Sequence, residues 1–197
     1  MDQQAHKEKM QALQAEQKAK VKAATEKRGI VILLSGDGKG KSSSAFGTAL
    51  RMLGHDHKVG IVQFTKGKWK TGEQAMFQKI DGCDFESMGA GFTWDTQDRE
   101  LDIKMAEAAQ ARAIEMINDE QYRLVVLDEL TYMYSYDYLS PEPILAAIAN
   151  RSPMKSVIIT GRNPVPELID VADTHSIVKN DKHAFASGVR AQKGIEF

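Results

Sequence analysis

The residues with the clearest chemistry lie in the stretch LLSGDGKGKSSSAFG, Leu33 to Gly47. Gly36, Gly38 and Gly40 give backbone freedom directly after an apolar run, and Lys39 and Lys41 add two cations. Ser42, Ser43 and Ser44 then open a stretch that the pattern predicts as helix. This is the make-up of a phosphate cradle. Loop N–H groups and a helix N-terminus face phosphate oxygens, Lys41 neutralises their charge, and the Ser42 hydroxyl reaches a Mg²⁺ ion. The full motif asks for glycine five residues before Gly40, where this chain has Ser35, so the pattern departs by one residue. A glycine turn carrying a surface lysine is the bland alternative. The spacing leaves open what becomes of the phosphates: cut by water, passed to an acceptor, or left behind while the rest of a nucleotide goes elsewhere.

A second constellation is LVVLDEL, Leu124 to Leu130, in which four apolar residues end in Asp128 and Glu129. A carboxylate at the end of a buried strand can hold Mg²⁺ through water beside such a loop, which makes Asp128 the candidate. Glu129 has three possible roles: positioning water in an ATPase, supporting the metal, or binding substrate. Arg162, just after the apolar run SVIITG, can reach phosphates or serve as a turn residue. The segment GAGFTWDTQDRE, Gly89 to Glu100, carries Phe92 and Trp94. That pair suits a core, or a flat apolar wall against a planar ligand. Asp95, Thr96 or Asp98 could cap the helix that follows. Tyr132, Tyr134, Tyr136 and Tyr138 follow the acidic pair, in a strand or a ligand-lining loop.

The elements that must position these groups alternate. Gly29–Leu34, Val59–Phe64, Arg123–Glu129, Ser156–Gly161 and His175–Lys179 read as short strands buried in a parallel sheet. Ser42–Leu53, Thr71–Ile80, Gln97–Asn118, Pro141–Asn150 and Pro164–Ala172 read as helices. The alternation argues for a three-layer α/β domain over residues 29–197. Residues 1–28 are different: rich in Gln, Lys, Glu and Ala, free of Gly and Pro, and with a thin apolar face of Met10, Leu13 and Val21. Such a helix has little reason to fold alone. It is either a frayed leader or an arm that orders over a ligand or a partner subunit.

Composition narrows the classes. With 26 basic and 27 acidic residues, the net charge of -1 offers no whole-molecule attraction for nucleic acid or an anionic membrane. The single cysteine, Cys83, excludes an internal disulfide and argues against a cysteine zinc site. His55 and His57 lack the spacing of a helical zinc motif and fit a surface turn. No run approaches the length of a membrane span, and the first residues lack a signal-peptide core, so a cytoplasmic protein is expected.

Together these motifs resemble the ATP:corrinoid adenosyltransferases of the cob(I)alamin adenosyltransferase family that keep a P-loop. The matching stretches are GDGKGKSSSAFG, VQFTKGKW, GFTWDTQDRE, VVLDELTYMYSYDYL, VIITGRN and KHAFASGVRAQKGIEF, spread over residues 29–197. Asp37 stands in place of the family's loop asparagine, Ser42 and Ser43 in place of threonines, and Asn163 where glycine often follows Gly-Arg. The resemblance implies a P-loop NTPase-like three-layer α/β/α sandwich with a mostly parallel sheet. It implies transfer of the 5′-deoxyadenosyl group of ATP to the Co(I) of a corrinoid such as cobalamin, with triphosphate leaving. By the same resemblance Gly36, Asp37, Gly38, Lys39, Gly40, Lys41, Ser42, Ser43 and Arg162 hold the nucleotide. Ser42, Asp128 and Glu129 serve Mg²⁺ or Mn²⁺, and Lys41 and Glu129 act in catalysis. Phe92 and Trp94 lie under the corrin ring, displacing the lower cobalt ligand so that Co(II) is more easily reduced. A homodimer, a reduced flavin or flavodoxin-like electron donor, and an arm of residues 1–28 over the corrinoid, in its own subunit or across the dimer, are also implied. An ATPase with Glu129 positioning water is the competing expectation.

Overall fold

The computed structural model describes residues 3–65, 71–88 and 98–196. Among the described residues, six strands form one parallel sheet in the order β3-β2-β4-β5-β1-β6. They are β1 (Val31–Ser35), β2 (Lys58–Gln63), β3 (Cys83–Ser87), β4 (Tyr122–Asp128), β5 (Ser156–Thr160) and β6 (Thr174–Ile177). The helices are α1 (Gln3–Ala23), α2 (Lys41–Leu53), α3 (Gly72–Phe77), α4 (Arg99–Asn118), α5 (Thr131–Ser135), α6 (Glu142–Asn150) and α7 (Pro166–Val171), with a 3₁₀ turn at Ala184–Ser187.

The strand pleat sorts the core into two layers. On β4, Leu124 and Val126 join Ala45, Phe46 and Ala49 of α2 and Phe77 of α3. Their neighbours Val125 and Leu127 pack with Ala106, Ala109, Ala113 and Met116 of α4 and with Ile144 and Ile148 of α6. This is the expected three-layer α/β/α sandwich, and burial on both faces explains the near-continuous apolar runs of the central strands. The alanines of α4 let a long helix lie close to the sheet.

Two elements differ from the sequence reading. β3, CDFES, went unread as a strand; it is an edge strand in which Phe85 alone is buried, and its polar residues conceal the strand pattern. In the tyrosine segment, Tyr132 and Tyr134 lie in the short helix α5, entered by a turn at Glu129–Leu130, and Tyr136 and Tyr138 lie in the turns after it, so the segment is not a strand. The N-terminal stretch is helical over Gln3–Ala23 and buries none of those residues, in keeping with its thin apolar face.

Helix starts follow local chemistry. Asp98 caps α4 by accepting a hydrogen bond from Leu101 N at 3.1 Å, and Thr71 caps α3 by accepting from Gln74 N. At the far end of the sheet, Lys155 is fully buried just before β5. Its ammonium donates to the carbonyls of Met116, Ile117 and Asp119, which closes the C-terminal end of α4.

Candidate nucleotide site

The glycine-rich loop, the candidate phosphate cradle, leaves the carboxyl end of β1 and enters α2. Gly36 takes φ 104, a value natural to glycine, and a Cβ there would lie 2.5 Å from the Val178 carbonyl oxygen. Gly38 is equally confined: its Cβ would fall 2.4 Å from the Lys179 carbonyl oxygen. The Gly38 N–H donates to Val178 O at 2.8 Å. The chain after β6 therefore supports the loop from beneath and takes up one N–H that the sequence reading had left available to phosphate. Ser35, at the motif's first position, is buried and shares a hydrogen bond with His175 Nε2 at 2.8 Å. The departure from glycine thus ties the base of the loop to β6.

Lys41 is buried, and its ammonium donates to Gly38 O at 2.9 Å, folding the side chain over the loop. Burial lowers its pKa from the usual lysine value, and the nearby charge of Glu129 opposes that fall. The charges of Arg162, Asp37 and Asp128 also act on Lys41, more weakly. Ser42 is half-buried at the start of α2, whereas Ser43 is exposed. Asp37 and Lys39 lie on the exposed rim. Arg162 pairs with Asp37 at 3.6 Å, and Lys39 pairs with Glu196.

The acidic pair sits where the strand ends meet. Asp128 is fully buried at the end of β4, in register with Gln63 at the end of β2. Its Oδ2 accepts from Gln63 Nε2 at 2.8 Å, and its Oδ1 accepts from Thr160 Oγ1 at 2.7 Å. The Thr160 oxygen accepts in turn from Glu129 N at 2.9 Å. Glu129 is half-buried and takes φ 62, a left-handed conformation uncommon for glutamate and typical of functional turns. Thr131 Oγ1 donates to the carbonyl of Arg162 at 2.6 Å, joining the turn after β4 to the turn after β5. Asn163 has φ 46, which explains why it can stand at a glycine position: asparagine tolerates the left-handed region better than most residues.

The tyrosines pack chiefly on one another. Tyr132 and Tyr136 stack with centroids 5.7 Å apart, Tyr136 tilts onto Tyr138, and Tyr134 is in the core. Burial, with Glu129 nearby, pushes the Tyr132 phenol up to about 12. Arg99 lies over the Tyr138 ring, 5.1 Å from its centroid. Phe92 and Trp94 lie outside the described residues.

The structure therefore brings Lys41, Ser42, Asp128, Glu129, Asp37 and Arg162 around the carboxyl ends of β1, β4 and β5. Sequence reading did not single out Gln63, Thr160, Thr131 or His175. Each is a polar residue at or near a strand end, and that position was the available signal. The oxygen donors Ser42, Asp128 and Glu129 suit a hard cation such as Mg²⁺. Both Asp128 oxygens already accept one hydrogen bond, and each retains a lone pair for a metal-bound water. Among the described residues, no group of three or more His, Cys, Asp or Glu side chains forms a metal cluster. A cation here would thus rely on phosphate oxygens and water as well as protein. No described helix is long and apolar enough to cross a membrane.

The sequence model of the family ATP:corrinoid adenosyltransferase BtuR/CobO/CobP matches residues 27–197. A corrinoid adenosyltransferase of Pseudomonas aeruginosa is 46% identical over 195 residues, covering 98% of this chain and 96% of its own. The corrinoid adenosyltransferase of Escherichia coli (strain K12) is 43% identical over 197 residues, covering 100% of both chains, as is that of Salmonella typhimurium. With the family model matching residues 27–197 and relatives above 40% identity along the whole chain, the chain belongs to the ATP:corrinoid adenosyltransferase family.

Proposed function

We propose that this protein transfers the 5′-deoxyadenosyl group of ATP to the Co(I) of a corrinoid and releases inorganic triphosphate. The observation that carries the reading is the buried Lys41 on the glycine-rich loop after β1, at the same end of the sheet as Asp128 and Glu129, in a chain with full-length adenosyltransferase relatives. In the transfer, the electron pair of Co(I) forms the bond to C5′. The C5′–O bond breaks, and its pair leaves on triphosphate. Cobalt ends formally as Co(III), so no external oxidant is needed and no proton must be removed from the nucleophile.

The protein's task is then to hold and neutralise the leaving group. Gly36, Asp37, Gly38, Lys39, Gly40, Ser43 and Arg162 line the phosphate region, and Lys41 stabilises charge as it builds on the departing oxygen. Ser42 and Glu129, with Asp128 acting through water, would hold Mg²⁺ or Mn²⁺, which supplies further charge neutralisation when bound. Thr160 and Gln63 fix Asp128 in one orientation. Phe92 and Trp94 are assigned to the lower face of the corrin ring. There they offer no lone pair to cobalt, so the Co(II) substrate loses its lower ligand and becomes easier to reduce. The N-terminal arm, with no buried residue of its own in α1, is assigned to covering the corrinoid, in its own subunit or across a homodimer. Reduced flavin or a flavodoxin-like protein is the proposed electron donor, and the cytoplasm the proposed site of action.

The test is an anaerobic incubation with ATP, Mg²⁺ and chemically reduced cobalamin, following cobalt–carbon absorbance and phosphate products together. Triphosphate formed in step with the alkylated corrinoid supports the transfer. ADP and phosphate without a cobalt–carbon bond would instead support an ATPase in which Glu129 positions water.

A further inference from the structure

The cations of the phosphate site already have partners within the chain. Lys41 donates to a loop carbonyl, Arg162 pairs with Asp37, and Lys39 pairs with Glu196. The last pair joins residues 157 positions apart. It brings the 188–196 segment back across the phosphate loop. That segment is loosely built. Residues 188–195 are exposed, and the Ile195 and Glu196 N–H groups both bond locally to Gln192 O. Gly194 takes φ 83, a left-handed turn just before Ile195 and Glu196. Ile195 lines a cavity of about 500 Å³ with Phe46, Leu50, Met76, Phe77 and Ile80, yet remains 74% exposed. Glu196 itself is half-buried, its side chain 23% exposed.

We infer that Glu196 is an internal counter-ion that competes with triphosphate for Lys39 and hastens release of the product. This rests on the reading of triphosphate as the leaving group. Triphosphate is a highly charged anion in a cradle of N–H groups and cations, and such a product leaves slowly. A carboxylate on a weakly held segment can re-pair with Lys39 as the anion departs, so the lysine is not left uncompensated. With the Lys39 side chain half exposed, solvent screening keeps the pair weak enough to break when nucleotide arrives. Glu196 acts through Lys39 and is therefore a positioning residue.

The experiment measures binding of Mg²⁺–triphosphate, without corrinoid, by titration calorimetry. The proteins are wild type, Glu196→Gln, Lys39→Met and the double variant. Removing the competing carboxylate should tighten triphosphate about 2- to 5-fold, the range set by an exposed ion pair. In the Lys39→Met background the same change should have no effect, because the competition runs through that lysine. Hydrogen exchange at residues 190–196 should speed up when triphosphate binds the wild type. Equal affinities of wild type and Glu196→Gln, an equal gain with Lys39→Met, or no measurable triphosphate binding would each overturn the inference. Failure of adenosyl transfer appears separately, in the corrinoid assay.

Discussion

Thr160 and Asp128 share a hydrogen bond of 2.7 Å at the ends of adjacent parallel strands, and the same threonine oxygen accepts the Glu129 N–H at 2.9 Å. One hydroxyl thus helps, with Gln63, to orient the buried carboxylate and also holds the turn that carries the other. Thr160→Val keeps the shape and removes both bonds. It should destabilise the protein by about 1–3 kcal/mol, the cost of leaving buried polar groups without a partner. It should also raise the Mg²⁺ concentration for half-maximal activity about 10-fold or more, as loss of a metal site's supporting partner does. Thr160→Ser should restore most of both. Urea denaturation and Mg²⁺ titration of turnover check the pair of effects.

For Phe92 and Trp94, substitution by Ala should reduce turnover from cob(II)alamin with a reductant far more than turnover from prepared cob(I)alamin. The aromatic pair is proposed to make reduction easier, and chemical reduction bypasses that step. Parallel assays with the two cobalt states decide the matter; equal losses would mean that the pair only holds the ring or the fold.

Lys155 lies at the opposite end of the sheet from the phosphate loop. Lys155→Ala should cost about 1–3 kcal/mol in unfolding free energy, because three carbonyls at the end of α4 lose a charged donor. Burial lowers the pKa of this lysine, so part of its bonding energy offsets desolvation rather than adding to stability. The KM for ATP should stay at the wild-type value. Denaturation and steady-state kinetics on the same sample separate the two.

Asp173 anchors the start of the domain. It accepts from Val31 N at 2.8 Å and from Arg28 Nη2 at 2.6 Å, and Arg28 above all holds its carboxyl down at about 2. A carboxyl depressed in the folded state stabilises the fold above its unfolded value and loses that contribution as pH falls toward the folded one. Wild type should therefore exceed Asp173→Asn by about 1 kcal/mol near neutral pH. The gap should narrow from about pH 5 downward and close near pH 2. Stability curves of both proteins across that range provide the check.

The sheet was legible because its central strands are buried on both faces, and the phosphate loop because glycine and lysine spacing carries its own geometry. Asp128 was legible because a charge at the end of an apolar run must have a purpose. Its partners were not. Gln63 and Thr160 lie 65 and 32 residues away, and they meet it because parallel strands bring their carboxyl ends together. Lys155 was missed for a related reason: in the run MKSV it looks like a surface lysine, and its burial depends on where α4 ends. The edge strand β3 carries Asp84 and Glu86, whose partners Tyr122 and Arg112 come from elsewhere in the fold. Its strand character therefore shows only in three dimensions. The Lys39–Glu196 pair, which spans most of the domain sequence, is likewise a product of the fold.

The central claim is that the bond broken is C5′–O and not a phosphoanhydride. ATP labelled with ¹⁸O at the 5′ bridging oxygen distinguishes the two directly. Incubated anaerobically with the protein, Mg²⁺ and cob(I)alamin, it should yield unlabelled adenosylated corrinoid and triphosphate carrying all of the label. Label retained in ADP, with unlabelled phosphate released, would contradict the account.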